Sequence, residues 1–161
     1  MTLPKHGRYH GMPVVQSLPG RKSYMVRQYP HEWFGYQRRD GIWIIPDPGE
    51  YTDQGSVPSI FTPWVPRDAY WAFYIHDPIY RHHSYQVYAT MPDGLPDLRK
   101  KLGRVPVTRK FADDTMLEAM RTENVVWQNG NKVEAAMIYA GVVVGGGPAW
   151  SRGGRRKGDL I

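Results

Sequence analysis

The run Phe-Tyr-Ile-His-Asp-Pro-Ile-Tyr, residues 73 to 80, sets His76, Asp77 and Tyr80 among bulky apolar side chains. Ala69, Ala72, Phe73, His76 and Tyr80 recur at helical spacing, which puts His76 on the apolar stripe of a helix. Further on, Ala112, Met116, Leu117 and Met120 form the apolar face of a second helix. Asp113 belongs to that face, at i−3 and i−4 from Met116 and Leu117, whereas Asp114 aligns with Glu118 and Arg121 on the wet side. A carboxylate buried without a partner is costly, so an inward Asp113 needs a donor, and His76 or Tyr80 is the kind available.

A His–Asp pair between packed helices makes the imidazole a better base. The carboxylate accepts from one ring nitrogen, fixes the tautomer, and leaves the other nitrogen to take a proton from water. Asp77 lies one residue on, about 100° around the helix, so its carboxylate reaches the cleft rim beside that free nitrogen. A hard cation such as Ca2+ bound there needs several further oxygens, typically backbone carbonyls of a nearby loop. The same residues also make a satisfied buried network that only fixes the register of two helices, and spacing leaves both readings open.

The elements that must position these groups fall into an α+β order. From Ser23 to about Pro58 the runs Tyr24-Met25-Val26, Trp33 to Tyr36 and Ile42 to Ile45, with Asp40-Gly41 as a hairpin turn, predict a small N-terminal antiparallel β-sheet. A helical half with a packed two- to three-helix core follows. Its first helix carries His76, with Asp68 after Pro66 as the expected start. The second runs from about Thr108 to Thr122, and the third from Lys132 to about Val144, ended by Gly145-Gly146-Gly147-Pro148 so that Trp150 can pack back. Residues 91–106, with three prolines and two glycines, are expected to be a long loop. The expected organisation is one domain over 1–150, mainly β in 1–60 and mainly α in 67–150, with a basic tail at 151–161.

With 161 residues, 41% hydrophobic and 22% charged, the chain can bury a real core. It has no cysteine, which removes disulfides, thiolate metal sites and thiol nucleophiles together. Ala135 to Val144, the longest apolar stretch, is too short to span a bilayer, and Met-Thr-Leu-Pro-Lys-His lacks the apolar core of a signal peptide. Synthesis in a cytoplasm without export is therefore expected. The net charge of +6 is partly local, since Arg152, Arg155, Arg156 and Lys157 stand between glycines near the end. Such a tail can contact nucleic acid, lipid or a neighbouring subunit.

Other chemistries fit less well. A metal phosphohydrolase built on His76, Asp77, His82 and His83 needs an upstream His and a later Asp, and His82-His83 suit a helix end better. Ser56 before Val57-Pro58 lacks the flanking glycines of a nucleophile elbow. The 13% aromatic content is mostly packing, since Trp33, Trp43, Trp64 and Trp71 lie in elements that need a core.

The pattern His76-Asp77-x-x-Tyr80 followed by Ala112-Asp113-x-x-Met116 resembles the His-Asp-x-x-Tyr helix of secreted phospholipases that cleave the sn-2 ester. It is closer still to the disulfide-free version in parvovirus capsid proteins. The resemblance implies His76 as general base, Asp77 as Ca2+ ligand, and Tyr80 and Asp113 as the groups that orient the ring. A wider pattern is similar to a phage-encoded domain family of unknown function: Thr52-Asp53-x-x-Ser56-Val57-Pro58, Trp64, His76-Asp77-x-x-Tyr80, Arg109-x-x-Ala112-Asp113, Met120, and a closing segment from Tyr139 to Trp150. It spans about residues 50 to 150. That similarity implies a virion-associated tail, neck or capsid accessory protein, present in several copies among other phage structural proteins. The resemblances together imply either action on host membrane lipid or a non-enzymatic assembly role. Two departures weigh against activity: Pro78 inside the helix, and no clear counterpart of the Gly-rich calcium loop in Pro46-Asp47-Pro48-Gly49 or Thr52-Asp53-Gln54-Gly55-Ser56.

Overall fold

A computed structural model describes residues 6–17, 24–27, 32–52, 71–126 and 132–152. Within them the expected α+β architecture holds, with sheet early in the chain and helices later. The β part comprises two three-stranded antiparallel sheets. In one, β1 (Arg8–His10) pairs with β4 (Gly35–Gln37), which pairs with β5 (Trp43–Ile44) across the predicted Asp40-Gly41 turn. In the other, β2 (Val14–Ser17) pairs with β3 (Tyr24–Arg27), and β3 with β6 (Tyr51–Thr52).

Helix α1 (Ala72–His82) buries eight of its eleven residues, so it is the central element rather than a surface helix, and any polar group on it must find its partner inside. Phe73, Ile75 and Ile79 of α1 meet Phe34, Tyr36 and Ile44 from the first sheet and Met116 and Met120 of α2 (Arg109–Val126). Ile138 and Val142 of α3 (Lys132–Gly145) close the core, and α4 (Gly147–Arg152) folds back beneath it. The helix runs through Pro78, whose missing N–H would have bonded the Tyr74 carbonyl. His83 ends α1 in the left-handed conformation (φ 52°), in keeping with the helix-end role expected of His82-His83.

One expectation is overturned. Residues 91–106 are not a long loop: Pro96–Pro106 form an eleven-residue strand, β8, paired antiparallel with β7 (Ser84–Thr90). A two-stranded ribbon is thus inserted into the half expected to be helical. The prolines misled because Pro96 and Pro106 sit at the two ends of β8, where a two-stranded ribbon tolerates a missing N–H, and Pro92 lies in the turn before it. Asp68, the Ser56-Val57-Pro58 stretch, Trp64 and the tail beyond Arg152 lie outside the described residues.

Candidate functional site

The predicted site residues come together where α1 crosses α2. His76 is 4% exposed and Asp113 5% exposed, so both point inward as the spacing required. His76 Nε2 faces Asp113 Oδ1 at 3.6 Å, longer than a hydrogen bond but within ion-pair range, and neither atom has a hydrogen-bond partner. On the other side of the ring, Nδ1 lies 3.1 Å from Asp77 Oδ1.

Asp77 therefore does not stand on a rim beside a free nitrogen: it occupies that nitrogen. Thr52, the last residue of β6, explains the difference, because its hydroxyl donates to Asp77 Oδ2 and helps hold the carboxylate against the helix. Tyr80 also departs from its expected role. Its ring packs on the imidazole with centroids 4.4 Å apart, and its hydroxyl accepts from Arg109 Nε at 2.9 Å instead of binding His76. Burial and the Asp113 charge push the Tyr80 hydroxyl up to about 12, against the pull of Arg109.

Arg109 ties the network together. Its Nε is 3.4 Å from Asp113 Oδ2, one helical turn on, and its Nη2 donates to the carbonyls of Val142, at 2.9 Å, and Val143, at the open end of α3. Gly146 is required beneath this contact. A Cβ there would come within 2.2 Å of the Tyr80 hydroxyl oxygen and 3.2 Å of Arg109 Nη2. Trp150 of α4 stacks on His83 at 3.8 Å and meets Tyr80 edge-on at 5.0 Å.

Burial alone would lower the His76 pKa, but the Asp113 and Asp77 carboxylates outweigh it and hold the imidazole above its ordinary 6.5. His76 and Arg109 thus interleave with two carboxylates, Asp77 and Asp113. Thr52 and Arg109 were absent from the expected site. Arg109 was detectable as the i−4 partner of an inward Asp, whereas Thr52 is brought in only by the folding of β6 onto α1.

A third missed residue is Glu123, near the end of α2 and 5% exposed. Its Oε1 accepts from Ala72 N and the Tyr9 hydroxyl, both at 2.7 Å, and its Oε2 from Trp71 N at 3.0 Å. Helix α1 has no acidic residue in its first turn, so α2 supplies the carboxyl oxygens that cap it. Burial outweighs these hydrogen bonds and pushes the Glu123 carboxyl up to about 7.

Asp77, the expected Ca2+ ligand, already has partners, and residues 53–56 of one expected carbonyl source lie outside the described residues. Among the described residues no three His, Cys, Asp or Glu gather as metal ligands. Both oxygens of Asp77 are engaged. In the Asp47 to Glu50 turn the side-chain carboxylates pair with Lys101 and Arg104 (Asp47) and with Arg81 and His82 (Glu50). Comparison with known proteins found no matching family model, no matching curated protein and no matching solved structure. Among the described residues no helix is long and apolar enough to cross a membrane.

A pH dependence follows. Raised folded-state values at Glu123 and His76 mean that the folded chain binds these protons more tightly than the unfolded chain, so their stabilisation is present at low pH and lost as pH rises. For Glu123 the loss runs from its ordinary 4.5 to about 7, and for His76 from 6.5 upward. Asp47 and Glu50 are held below their ordinary values by Lys101 and Arg104 and by His82 and Arg81, against the effect of burial, and their contribution is lost as pH falls. The melting temperature is expected to peak near pH 4 to 5 and to decline through pH 8 in a buffered thermal-melt series. His76→Ala should remove the part of the decline above 6.5, and a flat profile in the parent would contradict the assignment.

Proposed function

We propose that this chain is an accessory protein of a phage particle, and that the His76 network is a buried charge clamp holding α1 against α2 rather than a reaction centre. One observation carries the second half: both ring nitrogens of His76 face carboxylates. A general base needs a nitrogen open to water, and a buried imidazole with a carboxylate facing each nitrogen has none to offer. The first half rests on the sequence pattern. Its scattered elements Thr52, His76-Asp77, Tyr80, Arg109, Asp113 and Trp150 meet in one connected cluster, which gives the spacing a common physical purpose. Its partners are other particle proteins, with the chain present in several copies.

A lipid-ester hydrolase is the second reading, favoured by the facing Nε2 and Asp113 Oδ1, which lack hydrogen bonds of their own. In that role His76 takes a proton from water on Nδ1, which requires Asp77 to leave that nitrogen. Fatty-acid release from mixed phospholipid vesicles, with Ca2+ and with chelator, separates the two. The clamp predicts no release above His76→Ala, together with a stability loss of about 1 to 3 kcal/mol in that variant. Calcium-dependent release that disappears in a folded His76→Ala protein would establish the hydrolase instead. Mass spectrometry of purified particles checks the particle assignment, which fails if the chain is missing from them.

A further inference from the structure

The β7–β8 ribbon has no part in the clamp, and its shape and charge point elsewhere. β7 is the inner strand, packed on α1 and β5, while β8 lies outside it. The ladder is interrupted twice. Val87 pairs with Gly103, Tyr88 with Lys101 and Ala89 with Asp97, so β8 skips Leu102 once and Leu98-Arg99-Lys100 once. Gly103, at φ 134°, takes the backbone conformation beside the first bulge that other residues resist.

These bulges push a basic run outward. The Arg99 side chain is 85% exposed, that of Lys101 52%, and Lys100 is exposed between them, with Arg104 half-buried further along. The carboxylates ion-paired with this run are Asp97, with Arg99, and Asp47, with Lys101 and Arg104, while Asp93 lies in the turn before β8. Four cations thus share two carboxylates. The side chains of Arg99 and Lys101 are largely exposed, and cations so placed are held weakly by their partners and exchange them readily for another anion.

We propose that this ribbon is a docking surface for double-stranded DNA, with Arg99, Lys100, Lys101 and Arg104 on backbone phosphates. Because β7 stays packed on the body and β8 forms the outer edge, the basic run of β8 can lie along the closely spaced phosphates of a duplex. A membrane surface fits less well, because Leu102 and Val105 are the only large apolar side chains β8 exposes, too few for an inserting face. The overall +6 charge adds long-range attraction. The inference is independent of the particle assignment.

The test is fluorescence anisotropy of a labelled duplex of about 20 base pairs, titrated with the full-length chain across a KCl series. Wild type should bind with a log–log salt slope near −3 to −4, and Arg99→Gln/Lys100→Gln/Lys101→Gln should weaken binding at least tenfold and flatten the slope by about 3. Arg39→Gln/Arg121→Gln/Lys132→Gln removes the same charge from exposed positions elsewhere and should cost less than threefold. Lys100→Glu alone, at an exposed position, should weaken binding at least threefold and covers the case in which the triple variant misfolds. The proposal is overturned by salt-independent or absent binding, by equal losses in the two triple variants, or by tighter binding to phosphatidylglycerol vesicles than to the duplex.

Discussion

Asp113→Ala is expected to lower stability by about 3 to 5 kcal/mol at pH 6, in the range seen when one partner of a buried ion pair is removed. The change strips the carboxylate from Nε2 of His76 and from Nε of Arg109 together, leaving two buried or half-buried cations with Asp77 as the remaining anion. The imidazole can then relieve the imbalance by losing its proton. The cost should therefore shrink as pH rises above the ordinary imidazole range, because the raised His76 value means the parent also loses its proton there. Urea unfolding at pH 6 and above that range checks this. Asp113→Asn, which keeps the shape and one acceptor, should cost less, and a double-mutant cycle with His76→Ala should return a coupling of about 1 to 3 kcal/mol. A loss below 0.5 kcal/mol for Asp113→Ala, the range of ordinary surface changes, would show that the cluster is not a clamp.

Glu123→Ala should cost about 2 to 4 kcal/mol, through another mechanism. The substitution leaves the buried Ala72 N–H and the Trp71 N–H without the oxygens they now use, and removes the acceptor of the Tyr9 hydroxyl. Each buried donor left unsatisfied costs about 1 to 3 kcal/mol, whereas Tyr9→Phe removes one partner cleanly and should cost about 1 kcal/mol. Amide hydrogen exchange gives a local readout: the first turn of α1 should exchange faster in Glu123→Ala while the middle of α2 keeps its protection. Unchanged exchange at residues 71 and 72 would mean that the cap is not supplied by α2.

Much of this arrangement was legible from residue periodicity, because α2 and α3 are long enough to show it. Met116 and Met120 mark the inner face of α2, and Asp113 falls on it, so its burial could be read before any contact was known. The pairing of His76 with Asp113 followed from the cost of leaving such a carboxylate alone. Less legible were interactions joining distant segments. Thr52 and Glu123 carry no local pattern that says which helix they serve; each is useful only because sheet and helix fold against α1. The ribbon escaped for a different reason. Its two bulges break the alternation that would have marked β8 as a strand, and the prolines and Gly94 around its turn look like a loop when counted by composition.

The cap on α1 bears on the order in which the chain can fold. Ala72 and the carboxylate that completes its helix are 51 residues apart, so the first turn of α1 cannot be finished by neighbours in the sequence. At synthesis rates of roughly 5 to 20 residues per second, α1 leaves the ribosome about 3 to 10 s before Glu123 does. During that interval Phe73, Ile75 and Ile79 have no partner from α2. The transition state should accordingly contain α1 and α2 docked as a pair, and a nascent chain halted before Glu123 should be a ready client for chaperones.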